Sequence, residues 1–177
     1  MAVDVYMVLV NEDGTLLSGD GQVDTSSWLY PFSGRPKIQG AVFEIEDLSF
    51  DVDQALTVGT GPTGSKVSFK EMTVTRNPGN NSPWLYHMCA SGERFKYVDL
   101  LLRKAGGASV IYLAYGFSSV IIKSIGYSLP AGAEAPREKM VFDYEALSMV
   151  YRPQKTDGTF ESYVPVRTWD QVKNSAL

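Results

Sequence analysis

The sequence predicts a mostly β protein, a barrel or sandwich with one short helix. Three observations carry that expectation. The dominant hydrophobic period along the chain is two, the signature of half-buried strands. The periodic segments are short and punctuated by Gly, Pro, Asn and Asp. No βαβ alternation appears, which leaves architectures built from antiparallel strands. At roughly 150 residues per domain, the 177 residues are read as one domain over residues 1–177. A hydrophobic fraction of 44% and a charged fraction of 20% exclude a wholly disordered or fibrous chain.

Residues 3–10 form the first expected strand, ended by the turn signal Asp13-Gly14. Residues 11–40 carry two prolines and Gly19-Asp20-Gly21, and read as a long loop with room for one short strand. Residues 42–52 are a second strand region, residues 54–65 a Gly/Thr-rich loop and residues 67–75 a third strand. In the third strand the apolar parity changes at Lys70-Glu71, which predicts a β-bulge. One helix is expected, with Ser82 as N-cap, Pro83 at N1 and Gly92 as the stop. Its buried stripe is Trp84, Leu85, Met88 and Cys89, at i, i+3, i+4 spacing. Strands follow at 95–104, 110–117 and 120–127. Another region, 138–152, has a break near Glu145-Ala146. Residues 153–158 form a turn, and 163–169 a last short strand.

Chemistry is sparse. Cys89 is the only cysteine, so no disulfide forms within the chain, and His87 is the only histidine. The two stand two apart on the expected helix, so their side chains diverge, and zinc needs three or four N/S ligands. They read as a core cysteine and a partly exposed histidine. The stretch from Gly59 to Lys66 superficially resembles a phosphate loop. It places Ser65 before Lys66, the reverse of the required order, and leads into a strand rather than a helix. Asp20, Asp24, Asp51 and Asp53 lack the order of a calcium loop and read as turn and solvated-face residues. No Gly-x-Ser-x-Gly elbow is present. With a net charge of −4 and no basic block, the chain is a poor match for nucleic acid. The N-terminus has Asp4 and no positive n-region, so it is no secretory signal. The uncharged run between Lys104 and Lys123 is broken by Gly and Ser and rich in β-branched and aromatic residues, as in strands rather than a spanning helix.

From residue 42 to 174 the order of short motifs resembles the haemolysin-coregulated protein (Hcp) family. The resemblance rests on Lys66–Thr75 followed by Ser82-Pro83-Trp84-Leu85, Ser91-Gly92-Glu93-Arg94-Phe95 and Arg103-Lys104-Ala105-Gly106-Gly107. It continues through Glu138, Phe142-Asp143-Tyr144, Val150-Tyr151-Arg152-Pro153-Gln154, Asp157-Gly158 and Trp169-Asp170. Residues 77–81 and Thr168 depart from the family pattern, and residues 11–36 match it poorly. The resemblance implies a two-sheet β-barrel with one flanking short α-helix. It also implies a non-enzymatic structural subunit without a cofactor, assembled as a homo-hexameric ring. Such rings stack into the inner tube of the type VI secretion system, inside a contractile sheath and joined to a spike protein and baseplate, with effector cargo in the lumen. The protein is then made in the bacterial cytoplasm and exported without a cleavable signal, with no membrane insertion. The inter-ring candidate is the 54–65 loop, through Gln54, Thr57, Thr60, Thr63 and Ser65; the 11–36 insert is a second. A phage or other contractile-particle tail tube shares this expectation. A small-ligand-binding β-barrel is the alternative from another class.

Overall fold

The computed structural model describes residues 3–38, 40, 42–54, 67–104 and 110–177. In chain order the elements are β1 (Val3–Asn11), β2 (Leu16–Leu17), β3 (Phe43–Ile45), β4 (Asp47–Ser49), β5 (Val52–Gln54), β6 (Val67–Phe69), β7 (Met72–Arg76), α1 (Ser82–Ser91), β8 (Arg94–Lys104), β9 (Ile111–Ser128), β10 (Arg137–Asp143), β11 (Ala146–Tyr151), β12 (Arg167–Asp170) and β13 (Ser175–Ala176). Eleven strands share one antiparallel sheet, and β5 and β6 form a second.

The large sheet is built on β1, whose residues 6–10 are all buried. β8 pairs along one edge of β1, while β2 and β3 pair on the other. From β8 the ladder passes through β9 and β10 to β7 and β4. Only Glu46 separates β3 from β4, and its backbone N–H donates to the Thr75 carbonyl at 2.9 Å. The covalent chain thus links the two ends of this path, which encloses the main core. That core takes Met7 and Leu9 from β1, Val98 and Leu100 from β8, Phe117 and Val120 from β9, and Met140 and Phe142 from β10. Leu85 and Met88 of α1 complete it.

The opposite face of β1 is covered too. Tyr6, Val8 and Val10 lie with Leu101, Ala114 and Val150 beneath Phe32 and Ile38, flanked by Val23, Trp28 and Tyr30. Residues 11–40 therefore form a cover with its own hydrophobic cluster beneath it, beyond the single short strand β2.

The structure corrects several boundaries. The strands expected at 110–117 and 120–127 are one 18-residue strand, Ile111–Ser128. Ser118 and Ser119 mark a change of partner rather than a strand end. β11 pairs with residues 113–118 and β10 with residues 121–128, while β8 stays paired across the change. Ser119 has φ +52° at this handover. The bulge expected at Lys70-Glu71 is a break where the chain leaves the small sheet for the large one. Residues 42–52 divide among β3, β4 and the start of β5, each with a different partner. The break near Glu145-Ala146 falls between β10 and β11 as expected. The closing strand begins only at Arg167, and β13 follows it.

Helix α1 ends where expected, with Gly92 left-handed at φ 70° and its N–H donating to the Met88 carbonyl at 3.0 Å. Its start differs. Asn81 is the N-cap, because Ser82 turns its hydroxyl away to accept bonds from the Gly79 N–H at 3.0 Å and Arg76 Nη2 at 3.2 Å. Trp84 is not on the buried stripe but 46% exposed, and Cys89 is only partly buried against the core.

Candidate functional site

The loop singled out by sequence grows from the small sheet. β5 and β6 pair through Val52 with Phe69, Asp53 with Ser68, and Gln54 with Val67. Gln54 is exposed at the end of β5; Thr57, Thr60, Thr63 and Ser65 lie outside the described residues. Gly59–Lys66, the phosphate-loop look-alike, lies outside them as well, and the segment leads into β6.

The base of this hairpin is anchored. Phe69 stacks on Tyr144 at 5.9 Å between ring centroids, and the Tyr144 ring meets Phe117 of the core edge-on at 4.7 Å. Tyr144 also donates its hydroxyl to the Lys70 carbonyl at 2.8 Å, while Lys70 N–H donates to the Asp51 carbonyl at 2.8 Å. Burial, with the charges of Asp143 and Asp51, pushes the Tyr144 phenol well above its ordinary range, which favours the protonated, donating form. Aromatic packing and two backbone acceptors thus fix the root of this hairpin.

A second surface lies on β11 and β12. Cross-strand register places Leu147 opposite Trp169 and Met149 opposite Arg167. Met149, Tyr151 and Trp169 are exposed, as are Val164 and Val166 on the approach to β12. β13 pairs with β12 by only two residues. Exposed apolar side chains gathered on one region mark a surface suited to contact with another protein.

Two buried ion clusters had no counterpart among the sequence-based expectations. Arg76, 1% exposed, gives Nε to Glu138 Oε1 at 2.6 Å and Nη1 to Asp20 Oδ1 at 2.9 Å, beside its bond to Ser82. Asp20, expected as a turn residue, instead joins the 11–40 cover to this cluster. The arrangement leaves no room at Gly79, where a Cβ would fall 1.3 Å from Asp20 Oδ2. Tyr127, beside Glu138, has its phenol pushed up to about 12 by burial and by that carboxylate.

In the second cluster Asp99 of β8 is fully buried. It accepts from Tyr30 Oη and from Arg35 Nε at 2.9 Å and Nη2 at 3.3 Å. The Arg35 guanidinium lies 3.4 Å above the centre of the Tyr97 ring. Burial raises the Asp99 carboxyl above the usual range, opposed by Arg35. Gly116 is the residue opposite Asp99, and a Cβ there would meet Asp99 Oδ1 at 3.0 Å and Phe32 ring carbons at 3.1 Å.

His87 is exposed and stacks on Trp84, whereas Cys89 turns toward the core, so the pair does diverge. Among the described residues no group of three or more His, Cys, Asp or Glu could hold a metal ion. No described helix is long and apolar enough to cross a membrane.

Comparison with known proteins places this architecture. The sequence model described as "Type VI secretion system effector, Hcp" matches residues 36–151, about two thirds of the chain. Protein hcp1 of Pseudomonas aeruginosa is 28% identical over 94 residues, spanning 52% of this chain and 58% of that protein. A solved type six secretion system protein superposes with a TM-score of 0.81 at 19% identity, covering 99% of this chain and 100% of that one. Hcp1 from Salmonella typhimurium gives 0.70 at 22% identity, with both chains covered completely. The chain belongs to the Hcp family of the type VI secretion system.

Proposed function

We propose that the chain is a structural subunit of the type VI inner tube, forming hexameric rings that stack and leave the cell with effector cargo. One observation carries this reading beyond family membership: the exposed Met149, Tyr151 and Trp169 on adjoining strands. Burying such side chains against a neighbouring subunit contributes roughly 25 cal/mol for each Å² of apolar surface removed from water. The lateral contact between subunits is assigned to this face, and the contact between rings to the hairpin rooted at Phe69 and Tyr144. The sheath, spike and baseplate are the partners this role implies, and no catalytic step is assigned.

Light scattering on the purified protein at micromolar concentration tests the reading. The expected result is a ring for the wild type and its dissociation in Met149→Asp. A sharp wild-type monomer overturns it. Replacing residues 55–66 with a short turn is expected to leave the ring intact while lowering tube formation and export. Normal tubes and export in that variant overturn the assignment of the hairpin.

A further inference from the structure

The 11–40 segment joins the rest of the molecule in two different ways. Its ends are tied by backbone and by tight packing. Gly21 N–H donates to the Val42 carbonyl at 2.8 Å, and a Cβ on Gly19 would fall 2.3 Å from the Val42 carbonyl carbon. Asp20 bonds Arg76, and Asn81 donates to the Ser18 carbonyl, so this neck is held to the loop before α1. The body, residues 22–38, contains no strand. Among the described residues it makes no backbone–backbone hydrogen bond to the sheet beneath it. Among the described residues, the hydrogen bonds from the body to β8 all end on one side chain, Asp99, which receives Tyr30 and both donating nitrogens of Arg35; outside β8, Tyr163 donates to the Leu29 carbonyl at 3.3 Å.

We propose that residues 22–38 are a strap that opens as a unit about the fixed neck at Gly19, Gly21 and Val42, with Asp99 as its latch. Segments lacking ladder hydrogen bonds open with less free energy than the strands around them. A latch made of charge-assisted bonds in a dry site loses much when its charge is removed, because the arginine then stays buried without a counter-ion. Opening bares the apolar face of Tyr6, Val8, Leu101 and Ala114 while the main core stays closed. This is a property of one chain and holds whether or not rings form.

Native-state trypsin digestion reads the opening directly. The Lys37–Ile38 bond lies in the strap, with Ile38 only 7% exposed, and the Lys139–Met140 bond lies in β10. In Asp99→Asn, cleavage at Lys37–Ile38 is expected to rise about tenfold or more while keeping its shallow urea dependence; cleavage at Lys139–Met140 stays slower than at the strap and keeps the steep urea dependence of global unfolding. In Tyr30→Phe the rise at the strap is smaller. In the wild type, strap cleavage is expected to depend on urea far less steeply than global unfolding does, since less surface is exposed. No acceleration at Lys37–Ile38 in Asp99→Asn, or a strap cleavage as urea-dependent as cleavage at Lys139–Met140, overturns the proposal. If Asp99→Asn does not fold, Tyr30→Phe and the urea series decide by the same criteria.

Discussion

Replacing Arg76 with methionine removes the cation at the junction of β7, β10 and the 11–40 cover while keeping a flexible apolar stem. Its partners respond unequally. Asp20 retains a 22% exposed side chain and can be rehydrated by a small movement, so that bond contributes little to the loss. Glu138 has a side chain with no exposure, and Arg76 Nε is the cation that its Oε1 meets, so it is left as an uncompensated buried charge. Breaking one side of such a pair costs about 3–5 kcal/mol, a large part of the roughly 5–15 kcal/mol that holds a domain folded. The corresponding fall in Tm is about 6–20 °C for a chain of this size. Replacing both charges, as in Arg76→Met with Glu138→Leu, removes the stranded carboxylate as well and is expected to recover most of the loss. Urea denaturation followed by circular dichroism, at one fixed protein concentration for all four members of the cycle, measures the coupling. A single variant losing less than about 1 kcal/mol, or a double variant as unstable as the sum of its singles, refutes the reasoning.

Gly116→Ala is expected to destabilise by about 1–3 kcal/mol, since its methyl group presses on Asp99 and on the Phe32 ring in a filled site; thermal melts check it, and an unchanged Tm counts against the packing described. Asp170 accepts the Lys173 backbone N–H at 2.8 Å, chiefly this bond holding its carboxyl below the usual range. A lowered folded-state value means its contribution is present above the unfolded pKa of about 3.9 and lost as pH falls through the folded value. Amide exchange at Lys173 should therefore accelerate below about pH 4 relative to its intrinsic rate, and Asp170→Asn should abolish that pH dependence.

The strands were legible because a period of two survives any pairing scheme. For the same reason their partners were not: residues 110–127 read identically whether they form two strands or one strand that changes neighbours at Ser118. The subdivision of residues 42–52 was hidden likewise, since β3, β4 and β5 are too short to show separate periods. The hairpin root at Phe69 and Tyr144 depends on a contact between distant segments that neither segment's pattern announces.

The buried ions did leave a trace. Arg76 shares strand parity with the buried Met72 and Val74, and Glu138 shares it with Met140 and Phe142. Asp99 stands inside the apolar run from Val98 to Leu102. A charge at a core position is costly unless it is paired, so each of these residues required a counter-charge from another element. Glu138 and Arg76 are in fact register partners on β10 and β7, while Asp99 takes its cation from the cover. Charged residues at buried parity therefore carried information about long-range contacts that the apolar pattern did not. They tie the 11–40 segment, most of which lies outside the matched family region of residues 36–151, to β-strands within that region.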